Sequence, residues 1–219
     1  MDFNELQEAA IQSLQHPGAG GKPMPKTSSK KPPILYVFRH TQTYDNIRRV
    51  FSGKRQSQLT PKGKKQAQEL AHKLVHMHID LFISPDLIRC RQTLEPLQKM
   101  LPHIPYLVKK ELVERDYGIL TGKSKMEAMK EHPKNAVLWR RSWDVAPPKG
   151  ESIKNVWENR IHPFCKWLET KMKKENINIA YSGTNNTVRL IRMYFEHLSY
   201  EDSVELENTY ADYASYHIK

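Results

Sequence analysis

At 219 residues the chain has the length of one domain able to bury a substantial core. Its 35 Lys and Arg against 24 Asp and Glu leave a formal charge of +11, which suits an anionic partner. A phosphorylated small molecule is the stronger reading and nucleic acid the weaker, because no Lys/Arg-rich run with interleaved aromatics is present. Two cysteines, Cys90 and Cys165, lie far apart without a CxxC pairing, as expected in a reduced compartment. No apolar run reaches membrane-spanning length, and the start Met1-Asp2-Phe3-Asn4-Glu5 is unlike a targeting peptide. A cytoplasmic protein without a membrane partner is expected.

In chain order, Phe3, Leu6, Ala10 and Leu14 recur at helical spacing and predict an amphipathic helix over residues 3–15. Its apolar face is open to docking on the body of the protein, to a protein partner, or to fraying. Residues 16–33 read as a flexible Gly/Pro/Ser/Lys linker, so residues 1–33 form an arm and residues 34–219 the domain. Ile34-Leu35-Tyr36-Val37-Phe38 predicts a buried strand. Thr60-Pro61 reads as an N-cap followed by proline at the first helical position, and Ala67, Leu70, Ala71, Leu74 and Val75 form that helix's apolar stripe.

Asp80 to Ser84 predicts a second strand, about Asp86 to Met100 a helix, Tyr106 to Val108 a short strand, and residues 124–132 a helix. Ser152 heads a long helix that Pro163 should kink. Ile177 to Tyr181 reads as a strand, Thr187 to His197 as a helix, and Ala214 to Ile218 as a closing strand. This alternation predicts an α/β fold, a three-layer α/β/α sandwich around a mostly parallel central sheet.

The chemistry concentrates at strand ends. Arg39-His40 leaves the first strand where open α/β sheets bind ligands, with Asn46 close behind. An imidazole can attack phosphorus, and a guanidinium can grip two phosphate oxygens. Arg89 sits in the first turn of the helix after the second strand, a place unfavourable for a cation unless an anion binds there. Glu114 follows the third strand and is a candidate general acid. The cluster His72, His76 and His78 lacks a metal-binding carboxylate pattern and reads as a solvated helix end.

Taken together these segments resemble the histidine phosphatase superfamily on its phosphoglycerate mutase-like side. Arg39-His40 with Asn46 matches the RHG…N opening, Leu59-Thr60-Pro61-Lys62-Gly63 the LTxxG turn, and Ser84-Pro85…Arg89…Gln92-Thr93 the second arginine motif. Glu114-Arg115-Asp116-Tyr117-Gly118 is similar to ERHYG, Arg140-Arg141-Ser142-Trp143-Asp144-Val145-Ala146-Pro147-Pro148 to RRSYDxPPP, and Gly150-Glu151-Ser152 to GES. The resemblance spans roughly residues 34–218. It implies His40 as a nucleophile that becomes phosphohistidine and Glu114 as the acid-base group. Arg39 and Arg89 would serve the reacting phosphate, with Thr43 and Asn46 beside them. Arg115, Tyr117, Arg140, Arg141, Thr184 and Asn185 would contact the substrate, a phosphorylated small molecule. Neither a metal nor another cofactor is expected.

Three departures stand out. Thr41 replaces the glycine after the nucleophile and should add a side chain beside the phosphate, and Gln56 replaces the aspartate ahead of the LT turn. In the closing motif, Ser182-Gly183-Thr184-Asn185-Asn186-Thr187-Val188-Arg189 aligned on SHGNSxR puts Thr184 where the family has its second histidine. Pro148 also runs almost directly into Gly150, without the long insertion of cofactor-dependent mutases. Two functions therefore compete: phosphomonoester hydrolysis or mutase-like transfer through His40 at reduced activity, and a pseudophosphatase that binds phospho-ligands or scaffolds a partner.

Overall fold

In the computed structural model, which describes residues 2–15, 23–204 and 206–219 (the side chain of Ser13 apart), the first core strand forms where the apolar run predicts it. The elements in chain order are α1 (Phe3–Gln15), β1 (Ile34–Arg39), α2 (Tyr44–Ile47), α3 (Pro61–Leu74), β2 (Leu81–Ser84), α4 (Ile88–Met100), β3 (Tyr106–Val108), α5 (Lys125–Glu131) and α6 (Pro133–Arg141). They continue with α7 (Ile153–Val156), α8 (His162–Glu175), β4 (Ile179–Gly183), α9 (Asn185–Phe195), α10 (Tyr200–Val204) and β5 (Ala214–His217).

The sheet order is β3-β2-β4-β1-β5, parallel throughout except for β5, which pairs antiparallel with β1. Because side chains alternate along a strand, β1 feeds two cores. Leu35 and Val37 pack with Val156, Cys165 and Leu168 on one face, while Ile34, Tyr36 and Phe38 pack with Leu70, Leu74 and Leu94 on the other. Helices α7 to α9 thus cover one side and α3 and α4 the other, giving the expected three-layer α/β/α sandwich.

Several boundaries differ from the sequence reading, each for a local reason. The α3 N-cap is Thr60, whose hydroxyl accepts from the Gly63 amide at 2.9 Å, as the Thr-Pro start predicts. The long helix after Ser152 does not merely kink: Trp157–Ile161 is a π-helical turn, and the His162 amide bonds back to the Trp157 carbonyl. Pro163 has no N–H to donate to the preceding turn, and the wider turn absorbs that loss. Strand β4 starts two residues later than expected because the Asn178 side chain accepts from the Ile34 amide at 2.7 Å instead of joining the core. Helix α9 starts two residues earlier, at Asn185, because Thr184 and Thr187 form a reciprocal capping box.

Helix α1 docks on the body of the protein. Leu6 and Ala10 are buried against Val137 of α6 and Val204 of α10, and the Arg141 Nη2 donates to the Ala9 carbonyl at 2.9 Å. Of the expected linker, residues 16–22 lie outside the described residues. Residues 23–33 are held against β5: Thr27 N donates to Ser215 O at 3.0 Å, Ser215 N to Pro25 O at 2.9 Å, and Met24 is buried. This segment covers what would otherwise be an open sheet edge.

Candidate active site

Strands β1 and β4 lie side by side with Arg39 opposite Gly183, and the His40 amide donates to the Gly183 carbonyl at 2.8 Å. The segments leaving both strands therefore share one crevice at the carboxyl end of the sheet. His40 is buried there, with Nδ1 2.8 Å from the Thr41 carbonyl. Only an N–H can serve a carbonyl, so Nδ1 carries the proton and Nε2 keeps its lone pair. Burial, then the Arg89 and Arg39 cations, hold the His40 pKa well below its ordinary 6.5, so the ring is neutral at pH 7.

Thr41 does not crowd this ring. Its Oγ1 donates to the Gly63 carbonyl at 2.8 Å and its amide to Thr93 Oγ1 at 3.1 Å, which ties the loop to α3 and α4. Gly63 permits that approach, since a Cβ there would stand 2.0 Å from the Gln42 carbonyl. The sequence expectation of a side chain beside the phosphate is thus replaced by a packing role, because the hydroxyl finds a carbonyl on the far side of the loop.

The guanidiniums are held in different ways. Arg39 stacks over the Tyr210 ring at 4.8 Å from its centroid, and its buried Nε has no hydrogen-bond partner among the described residues. Arg89 donates to the carbonyls of Arg55 at 2.7 Å and Gly53 at 2.8 Å, leaving its buried Nε unpartnered as well. Gln56 steadies this turn: its Oε1 accepts from Ile88 N at 2.8 Å and its Nε2 donates to Asp86 O at 3.1 Å. That supplies the cap that Leu87, with no polar side chain, cannot give to α4.

Asn46 accepts from both the amide and hydroxyl of Thr43 through Oδ1, at 3.0 and 2.9 Å, which turns its NH₂ toward the crevice. Glu114 is buried and lines the same crevice. Its Oε1 accepts from Arg115 N at 2.7 Å and from Asn186 Nδ2 at 2.9 Å, and that Nδ2 also reaches the Tyr117 hydroxyl at 3.1 Å. Gly118 lets this loop meet the Gly150 turn: its φ is +54°, and a Cβ would lie 2.1 Å from the Pro148 carbonyl.

The crevice brings together Arg39, His40, Asn46, Arg89 and Glu114, with Tyr117, Arg140, Arg141 and Asn185 around them. Three expected residues do not line it. Thr43 is buried as the N-cap of α2. Arg115 is fully buried, stacked on Tyr117 with its Cζ 4.6 Å from the ring centroid and bonded to the Trp139 carbonyl. Thr184 is also fully buried, with its Oγ1 3.0 Å from Thr187 Oγ1.

Sequence reasoning missed Arg49, Lys125, Asn186, Arg189 and Glu207, all of which line the crevice. Lys125 carried a readable signal, since it opens α5 where the helix dipole disfavours a cation, the argument that singled out Arg89. Asn186 and Arg189 stood in the closing SHGNSxR-like motif and could have been read from it, whereas Glu207 gave no signal, because its approach to Arg189, 3.8 Å, depends on how α9 meets the segment after α10. Burial and the neighbouring Arg140 and Arg39 cations push the Lys125 pKa down to about 7. The empty site loses that ammonium as the pH rises through this value, and binding phosphate must then restore it. Inorganic phosphate affinity should therefore fall up to about tenfold from pH 6.5 to 8.5, worth about 1.4 kcal/mol. Calorimetry on Lys125→Met should show the fall abolished, and an identical fall in the variant would contradict the assignment.

Cys90 offers no rival nucleophile, because burial pushes its thiol up to about 12. Among the described residues no group of three or more His, Cys, Asp or Glu is placed to hold a metal ion, and none of the helices is long and apolar enough to cross a membrane.

The profile of the histidine phosphatase superfamily (branch 1) matches residues 35–218. The chain belongs to this superfamily. Among relatives in the superfamily, a 2,3-bisphosphoglycerate-dependent phosphoglycerate mutase from Nitrobacter winogradskyi is 34% identical over 180 residues, covering 80% of this chain and 86% of that protein. An enzyme of the same name from Cytophaga hutchinsonii is 30% identical, covering 80% and 83%. In fold, the chain is similar to the α-ribazole phosphatase of Shigella flexneri, with a TM-score of 0.74 at 22% identity, covering 84% and 89%. A mycobacterial glucosyl-3-phosphoglycerate phosphatase in complex with VO3 gives the same TM-score at 20% identity, covering 84% and 90%. The superfamily match begins after α1.

Proposed function

We propose that the chain catalyses phosphomonoester hydrolysis or mutase-like phosphoryl transfer on a phosphorylated small molecule, through His40. The observation that carries this reading is a neutral imidazole, its Nε2 without a hydrogen-bond partner among the described residues, under the influence of two guanidiniums that each keep a buried, unpartnered Nε. Nε2 attacks phosphorus, forming a P–N bond as the ester P–O bond breaks. The electron pair leaves with the ester oxygen, which takes a proton from Glu114. Water, or an acceptor hydroxyl in a transfer, then attacks the phosphohistidine and gives its proton to the Glu114 carboxylate as the P–N bond breaks. Arg39 and Arg89 neutralise charge developing on the phosphoryl oxygens, with Asn46 as a neutral donor. Arg140, Arg141, Tyr117 and Asn185 would bind the remainder of the substrate. The names of the mutase relatives favour a phosphorylated small acid. Phosphate release from a panel of phosphorylated three- to six-carbon acids and sugars tests the reading, and absence of turnover across the panel would oppose it.

A second reading, a pseudophosphatase that binds a phospho-ligand, is favoured by Thr184. Its hydroxyl is engaged by Thr187, and a hydroxyl supplies no cation. Thr184→His should raise turnover at least tenfold, about 1.4 kcal/mol of barrier, at a cost of about 1 kcal/mol of stability from the lost capping box. Steady-state kinetics and a melting curve check both figures. Flat turnover in a folded variant would mean that the site does not want for a cation at this position.

A further inference from the structure

Among the described residues, those lining the crevice are charged or polar apart from Gly53 and one aliphatic side chain, Leu14, which comes from α1. Helix α1 lies outside the superfamily match, which begins at residue 35, so this wall comes from a segment that the superfamily profile does not cover. It is fastened at several points. Leu6 and Ala10 are buried against α6 and α10, Leu14 is itself only 7% exposed, and Arg141 donates to Ala9 O at 2.9 Å. Arg141 also donates to Val204 O at 3.2 Å and lies 3.7 Å from Glu207, so one buried guanidinium joins α1, α10 and the crevice wall. The phosphate end of the crevice is set by His40, Arg39 and Arg89. Leu14 lines the same crevice as Arg140 and Arg141, and Arg141 is bonded to α1 at the Ala9 carbonyl, so this wall is available to the organic part of a ligand.

We propose that α1 is a fixed wall of the substrate pocket and that Leu14 determines specificity by limiting the bulk of the group attached to phosphorus. This rests on the phosphomonoester reading, but only on its binding half. A leucine contributes apolar contact to a short carbon chain and collides with a broad one. In a well-packed wall even one methylene of change is felt, and a methylene in an apolar pocket is worth about 10–200-fold in selection. Arg141, occupied by two backbone carbonyls, serves this wall as a positioning residue in addition to facing the crevice.

The test uses non-hydrolysable ligands, so that binding is read apart from turnover. Methylphosphonate and phenylphosphonate are titrated into the full chain, into Leu14→Ala and into Leu14→Trp by calorimetry, with melting curves for each. The ratio of the two dissociation constants should shift at least fivefold toward phenylphosphonate in Leu14→Ala and at least fivefold the other way in Leu14→Trp. Should Leu14→Ala melt early, Leu14→Trp and the volume-conserving Leu14→Met keep the comparison, with Leu14→Met expected near the wild-type ratio. An unchanged ratio in folded Leu14→Trp, or parallel loss of both ligands, would overturn the proposal and leave α1 a structural brace. Wild type that binds both ligands yet turns nothing over would defeat the enzymatic reading alone, whereas wild type that binds neither would defeat both.

Discussion

His40→Ala should lower turnover by at least about 10⁴-fold, the scale seen when a nucleophile acting in concert with its neighbours is removed. Neither of two neighbouring groups is placed to replace it. The Cys90 thiol is buried and held protonated, and Glu114 is engaged by Asn186 and the Arg115 amide. The loss should appear in kcat, with phosphate affinity changed far less, since the arginines remain. Acidity adds a second signature. The folded state holds the His40 pKa below 6.5, so as the pH falls through 6.5 the unfolded chain takes up the proton first. Stability from this group is therefore complete above 6.5 and is lost on acidification toward the folded value. His40→Ala lacks that loss, so its melting temperature relative to wild type should improve from pH 8 to pH 5. In wild type the acid limb of kcat/KM should fall below 6.5. An acid limb at or above 6.5 would show that His40 titrates as an ordinary imidazole.

Arg39→Met should lower kcat by about 10²–10³, as expected for loss of a donor aimed at developing charge. Arg39 suits this measurement because its guanidinium is held chiefly by stacking on Tyr210, and an unbranched apolar side chain can keep that contact. Arg89, by contrast, also fastens the Gly53 and Arg55 carbonyls, so its removal would mix chemistry with loop disorder. Arg39→Lys should rescue little, because an ammonium is a point charge and cannot form the two-pronged contact of a guanidinium. Kinetics on both variants decide the matter. A lysine variant with near wild-type kcat would reduce the role of Arg39 to bulk charge.

What could be read from the sequence is what depends on neighbours in the chain. The apolar run of β1, the Thr60-Pro61 start of α3 and the Arg89 that sits wrongly for a helix dipole are local, and each lies where expected. The places where the reading slipped involve partners far away. Thr41 has room to face the phosphate in a bare chain, but Gly63, 22 positions on, offers its hydroxyl a carbonyl. Arg115 follows Glu114 and looks like a second ligand, yet it turns inward to Tyr117 and the Trp139 carbonyl. The apolar face of α1 was plain at helical spacing, but its seat on Val137 and Val204 requires α6 and α10 to be in place. The short helices α6 and α10 carry no long apolar stripe of their own to mark them locally.

The most direct measurement of the central claim is a trapping experiment. The full chain is incubated with a reactive phosphate donor, quenched, digested and mapped by mass spectrometry under conditions that preserve phosphoramidate bonds. A phosphoryl group should appear on His40 that is stable to base, lost in acid and absent from His40→Ala. Phosphate found on another residue, or labelling of His40→Ala equal to that of wild type, would contradict it.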